Sequence, residues 1–155
     1  MLQRIQTLYL LLTTALPLLF LKGNFLRIIN RTGNEIVMKF SGIYQSAGDD
    51  GFSCLGQMLP VSVMTIIIPS LSVLAISLYK KRKFQMKVVA VLIVIAVLWI
   101  GLILYYSLAA GEGLSSSYVP GAKLYLAPLV LIFGILAYRG IRRDENLVSS
   151  YDRLR

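Results

Sequence analysis

Residues 59–110 read LPVSVMTIIIPSLSVLAISLYKKRKFQMKVVAVLIVIAVLWIGLILYYSLAA, and this stretch decides the fold class. Two apolar runs, Leu59 to Tyr79 and Val88 to Ala110, flank a short basic segment with Lys80, Lys81, Arg82, Lys83 and Lys87. Neither run contains an Asp, Glu, Lys or Arg. Each is long enough to cross a hydrocarbon core of about 30 Å at about 1.5 Å per helical residue. In lipid a single segment satisfies its backbone N–H and C=O groups internally only as a helix. The pair therefore predicts two membrane helices joined at a basic, water-facing turn.

Working outward, two more apolar runs appear, Ile5 to Leu21 and Tyr118 to Tyr138. The first is at the short end for a span. It sits beside Arg4 and resembles a signal peptide, but it continues past Pro17 to Leu21, and Lys22-Gly23-Asn24-Phe25 follows with no small-x-small cleavage site before it. We read it as a retained span. The chain of 155 residues is 57% hydrophobic and 15% charged, with a mean hydropathy of +0.73, against about 45–50% and about 25% in soluble domains. The expectation is an all-α membrane protein with a single integral domain over residues 1–155. It is a bundle of four transmembrane helices (5–21, 59–79, 88–110 and 118–138), with an outer loop at 22–58 and a cytoplasmic tail at 139–155.

An even number of spans puts both termini on one side. Arg4, the cluster Lys80, Lys81, Arg82, Lys83 and Lys87, and Arg139, Arg142, Arg143, Arg153 and Arg155 make eleven basic residues on that side. Lys22, Arg27, Arg31, Lys39 and Lys123 make five on the other, so the positive-inside rule predicts cytoplasmic termini. The formal charge of +9 is thereby a membrane-flank signal and not a nucleic-acid footprint, because the basic residues border apolar runs.

Pro60 and Pro120 stand near helix entrances, whereas Pro17, Pro69 and Pro128 fall inside spans and predict kinks. Ser62, Thr65, Pro69 and Ser72 share one face of the second helix, and Ala127, Gly134 and Ala137 recur on the fourth; both stripes read as helix-packing surfaces. In the outer loop, Phe25, Leu26, Ile28 and Ile29 and then Ile36, Val37, Met38 and Phe40 are β-favouring residues. They flank the turn chemistry of Asn30-Arg31-Thr32-Gly33-Asn34, which predicts one small β-hairpin. Residues 46–51, with Asp49 and Asp50, lack the acidic ladder of a calcium loop and read as a flexible turn. The Gly- and Ser-rich segment from Ala110 to Val119 reads as a connector. After Tyr138, Ile141, Leu147, Val148, Tyr151 and Leu154 fall on one side at helical spacing, so the tail reads as an amphipathic extension of the fourth helix. It is suited to lie on headgroups or to dock on a partner.

The chemistry is mostly one of absences. There is no histidine, and Cys54 is the single cysteine. The spans hold no Asp, Glu or Arg, so no catalytic site, no metal site and no cofactor are expected, and the chain reads as not an enzyme. Ion-coupled transporters usually carry intramembrane carboxylates or broken helices in repeated halves, and neither is visible. Lys123, near the outer end of the fourth run, is placed to snorkel to the interface.

The two ends carry a resemblance. Met1-Leu2-Gln3-Arg4-Ile5-Gln6-Thr7-Leu8-Tyr9-Leu10-Leu11-Leu12 and Tyr138-Arg139-Gly140-Ile141-Arg142-Arg143-Asp144-Glu145, continuing through Leu147-Val148 to Ser150-Tyr151-Asp152-Arg153-Leu154-Arg155, resemble an uncharacterised family. It is a domain-of-unknown-function family of small four-span inner-membrane proteins found chiefly in Bacteroidetes. Tyr151 departs from the alanine frequent in that family. The resemblance covers the whole length and implies a bacterial inner-membrane address and no known activity. A further likeness, to the claudin-like layout of four helices with a β-structured first outer loop, is one of architecture only.

Independently of the family, Gln3, Arg4 and Gln6 lie at the cytoplasmic face with Asp144, Glu145, Asp152, Arg153 and Arg155. If the first and fourth helices are neighbours, the first three can meet Asp144, Glu145 or Asp152. These eight are the candidate interaction residues. The expected function is a non-enzymatic accessory or structural subunit of a larger inner-membrane complex, in protein export, envelope assembly or energy transduction. Its partners would be other integral membrane proteins and anionic lipid headgroups at the cytoplasmic face, with no nucleic acid. The alternative is a small autonomous carrier or homo-oligomeric transporter.

Overall fold

The computed structural model describes residues 2–29, 35–46, 52–79, 81–111 and 117–153. The expected turn at 30–34, most of the loop at 46–51, residues 112–116 of the connector, and Arg155 lie outside the described residues. In chain order the elements are α1 (Leu2–Phe20), β1 (Asn24–Ile29), β2 (Glu35–Lys39), β3 (Gly42–Ser46) and β4 (Phe52–Gln57). They continue with α2 (Leu59–Ser77), α3 (Arg82–Gly111), β5 (Ser117–Pro120), a 3-10 turn (Ala122–Tyr125) and α4 (Leu126–Arg153).

The expected all-α bundle with one small hairpin is corrected by a five-stranded antiparallel sheet, in the order β4-β3-β2-β1-β5, which stands beside the helices. The predicted hairpin is its centre: Leu26 faces Met38, Arg27 faces Val37 and Ile28 faces Ile36. A two-stranded hairpin is marginal in water. Here β3 and β4 extend it on one side, with Val37 facing Tyr44 and Tyr44 facing Cys54. On the other side β5 pairs with β1, Arg27 facing Val119 and Ile28 facing Tyr118. Tyr118, Val119 and Pro120 were expected to open the fourth span, because this apolar stretch runs on into it. Instead they close the sheet, and Pro120 ends an edge strand where a missing N–H is tolerated.

That shift also relocates Pro128. It lies in the first turn of α4, where helix N–H groups have no intrahelical partner, and not in mid-span where it was expected to kink the helix. Pro17 and Pro69 lie inside α1 and α2 as expected. α4 runs unbroken from Leu126 to Arg153, well past the last apolar residues of the fourth run.

The helices pack in a ring, α1 against α2 and α4, and α3 against α2 and α4. The expected four spans are corrected to three: among the described residues, only Leu59–Ser77, Arg82–Ala110 and Ala122–Leu147 are long and apolar enough to cross a membrane. The apolar helix of α1, Ile5–Phe20, is shorter, reaching about 24 Å. One core joins the sheet to the adjoining helix halves through Phe20, Phe25, Ile28, Met38, Met58, Val61, Trp99 and Val130. At its centre Phe20 stacks on Phe25 with ring centroids 4.9 Å apart and meets the edge of Trp99 at 5.0 Å. A second cluster, Leu10, Ala75, Val89, Ala137 and Ile141, fills the opposite end of the helical layer.

Candidate functional site

At the end of the helices away from the sheet, α1 and α4 are clasped by a polar contact set into the second apolar cluster. Gln6 Nε2 donates to Asp144 Oδ2 at 2.6 Å, and both residues are only 8% exposed. Beneath them Leu10, Ala137 and Ile141 are buried and exclude water from the lower side of the bond. The close approach depends on Gly140, one turn before Asp144: a Cβ there would stand 2.9 Å from Gln6 Cγ. α3 joins from its first turn, where Arg82 Nη1 donates to the Asp144 carbonyl oxygen at 3.4 Å. Gln85, one turn further along α3, is buried as well. A hydrogen bond to a charged acceptor contributes about 1.5–3 kcal/mol, and removing its donor strands the buried carboxylate. The clasp is therefore built to hold three helices in one arrangement.

Of the eight candidate interaction residues, Gln6 and Asp144 are brought together. Glu145 is half-buried beside them. Gln3 and Arg4 lie on the first turn of α1, and Asp152 and Arg153 on the last turn of α4.

A second polar layer runs through the helical interior. Ser72 Oγ lies 2.7 Å from Thr13 Oγ1 and donates to the Leu10 carbonyl at 2.6 Å, tying α2 to α1. The Trp99 indole N–H donates to Thr65 Oγ1 at 3.0 Å, and Thr65 donates in turn to the Val61 carbonyl at 2.7 Å, tying α3 to α2. Ser62 Oγ donates to the Phe40 carbonyl at 2.6 Å, anchoring the sheet on the start of α2. The face expected to pack, Ser62, Thr65, Pro69 and Ser72, does so, and its hydroxyls bond to neighbouring elements.

A protein family described as a domain of unknown function, DUF4293, matches residues 2–154. The chain belongs to the DUF4293 family. The match takes in all four helices and all five strands, so the family covers the clasp, the interior hydroxyl layer and the sheet together. No curated protein matches the chain.

Three features of this DUF4293 chain were not read from its sequence. In the sequence Arg82 is one more flanking charge, and only its place after Leu78 signals the start of a new helix. The signal of Gly140 is a glycine within an otherwise strong helical run. Thr13 leaves no local signal, because its partner lies 59 positions away.

Proposed function

We propose that this DUF4293 chain is a multi-pass protein of the bacterial inner membrane, with both termini and the α4 extension in the cytoplasm and the sheet outside. There it serves as a non-enzymatic accessory or structural subunit of a larger membrane complex. The observation that carries the membrane reading is an inverted distribution of polarity. Ile5, Leu8, Leu11, Leu18 and Leu19 of α1, Val63, Ile66 and Val73 of α2, Val91, Val94, Val97 and Leu104 of α3, and Leu129, Ile132 and Ile135 of α4 all point outward and are exposed. Thr13, Thr65 and Ser72 point inward and are fully buried. Soluble monomers rarely expose contiguous apolar patches beyond a few hundred Å². α1, shorter than the other three, carries the same outward aliphatic face.

The subunit reading is supported by what the buried polar groups do. Within the helical layer they bond to one another and to carbonyls, which consumes them in packing and leaves them no part in a solute path. The α4 extension then offers a cytoplasmic surface for a partner. The test is gentle detergent extraction at native abundance, followed by native-gel sizing and mass spectrometry of the band. A reproducible assembly much larger than the chain is expected. Truncation after Glu145, which keeps the clasp, should leave the protein in the membrane and abolish that assembly. A monomer or homodimer carrying bound solute would support a carrier instead.

A further inference from the structure

At the sheet end of the helices a cleft of about 450 Å³ opens between the start of β1, the end of β5 and the 3-10 turn that leads into α4. Its lining combines two cations, Arg27 and Lys123, with the exposed Val119, the backbone of β1 at Asn24 and Leu26, and two glycines, Gly23 and Gly121. The cations differ in their surroundings. Arg27 is compensated: its Nη1 lies 3.3 Å from Glu35 Oε1. With the Asn24 amide oxygen turned towards it, Arg27 Nε and Nη2 are held at 3.1 and 3.2 Å as well. Lys123 is half-buried on the 3-10 turn, and no carboxylate among the described residues pairs with it.

Both glycines make the room this arrangement needs. Gly23 has φ +76°, and a Cβ there would stand 2.7 Å from Lys123 Nζ. A Cβ on Gly121 would stand 2.9 Å from the Phe25 carbonyl oxygen, to which the Gly121 N–H donates at 3.0 Å. The backbone thus brings a half-desolvated ammonium to the side of an amphipathic cleft. The cleft lies just above the aliphatic belt, with Tyr125 exposed beside it, at the depth where aromatic and basic side chains meet headgroups. Lysine binds phosphate as a point charge. A ligand that offers an anionic group to Lys123 and an apolar body to the exposed Val119 and Tyr125 at that depth is a phospholipid.

We infer that this cleft seats the phosphate of an outer-leaflet phospholipid, held chiefly by Lys123, with the glycerol end of the lipid against Val119. The inference rests on the membrane orientation proposed above. Binding to purified protein is scored separately from that orientation, which thiol accessibility in spheroplasts reads on its own. The full chain in detergent is titrated with dihexanoyl-phosphatidylglycerol or with inorganic phosphate, and adducts are read by native mass spectrometry.

Saturable binding of one lipid is expected, weakened about tenfold by Lys123→Ala, as suits loss of one charge-assisted contact. Lys123→Arg should retain it. Lys22→Ala, which removes an exposed cation outside the cleft lining, should leave it unchanged. Equal affinity for wild type and Lys123→Ala would overturn the site, as would equal weakening by Lys22→Ala. Inorganic phosphate that binds with the same Lys123 dependence and displaces the lipid would overturn the lipid assignment in favour of a free anion. Should Lys123→Ala fail to fold, a phosphatidylglycerol with a photoreactive headgroup decides on wild-type protein. Adducts within 22–27 or 117–125 support the cleft, and adducts confined to other segments overturn it.

Discussion

Gln6 and Asp144 are separated by 138 positions and joined at 2.6 Å, so their contact reports directly on how α1 and α4 meet. Gln6→Leu should cost about 1–3 kcal/mol, because it leaves a buried carboxylate without its donor. In a double-mutant cycle with Asp144→Leu the coupling should be about 0.5–3 kcal/mol. Reversible unfolding in mixed micelles measures both, and additive effects would remove the clasp from the account. Gly140→Leu should destabilise the wild type through collision with Gln6, and less so in a Gln6→Ala background where the clashing carbon chain is gone. Thr65→Val should cost about 1–2 kcal/mol by stranding the Trp99 indole N–H, whereas Thr65→Ser should be close to neutral. At this scale the sequence was legible wherever a polar side chain sat against an apolar run, as with Gln6, Asp144 and Thr65. Gly140, Arg82 and Thr13 were not legible, since what they do depends on which helix lies opposite.

The helices could be read from length and hydropathy because a bilayer leaves an apolar run little choice of conformation. The sheet could be read only at β1 and β2, whose Ile, Val, Leu and Phe residues carry strong β signals. β3 and β4, GIYQS and FSCLGQ, match β2 and β1 in length but mix apolar residues with Gly, Ser and Gln, and their strand character comes from pairing with neighbours. β5 is four residues long and pairs with β1 across some 90 positions of chain, beyond the reach of any local pattern. The same dependence on pairing makes a sharp test. A Cβ on Gly42 would stand 2.6 Å from the Gly56 carbonyl oxygen on β4. Gly42→Val should therefore open the β3–β4 pair and expose residues 52–57 to protease, while the helical circular dichroism stays at the wild-type value. Protease resistance equal to wild type would contradict the register.

For the molecule as a whole, the sheet and the clasp stand at opposite ends of the helical layer, and the belt of outward Ile, Val and Leu lies between them. Arg82, Lys83, Lys87, Arg139, Arg142 and Arg143 gather towards the clasp end, which the proposed orientation puts in the cytoplasm. Cys54, the single cysteine, is exposed on β4 at the other end and serves as a native reporter of that arrangement. The most direct measurement is labelling of intact spheroplasts with a membrane-impermeant maleimide. Wild-type protein should be labelled at Cys54 without lysis. In a Cys54→Ser background, a cysteine placed at the exposed Asn146 (Asn146→Cys) should react only after the membrane is broken. Labelling of Asn146→Cys in intact spheroplasts, with Cys54 protected until lysis, would contradict the orientation; recovery of the protein in the soluble fraction would contradict the membrane reading itself.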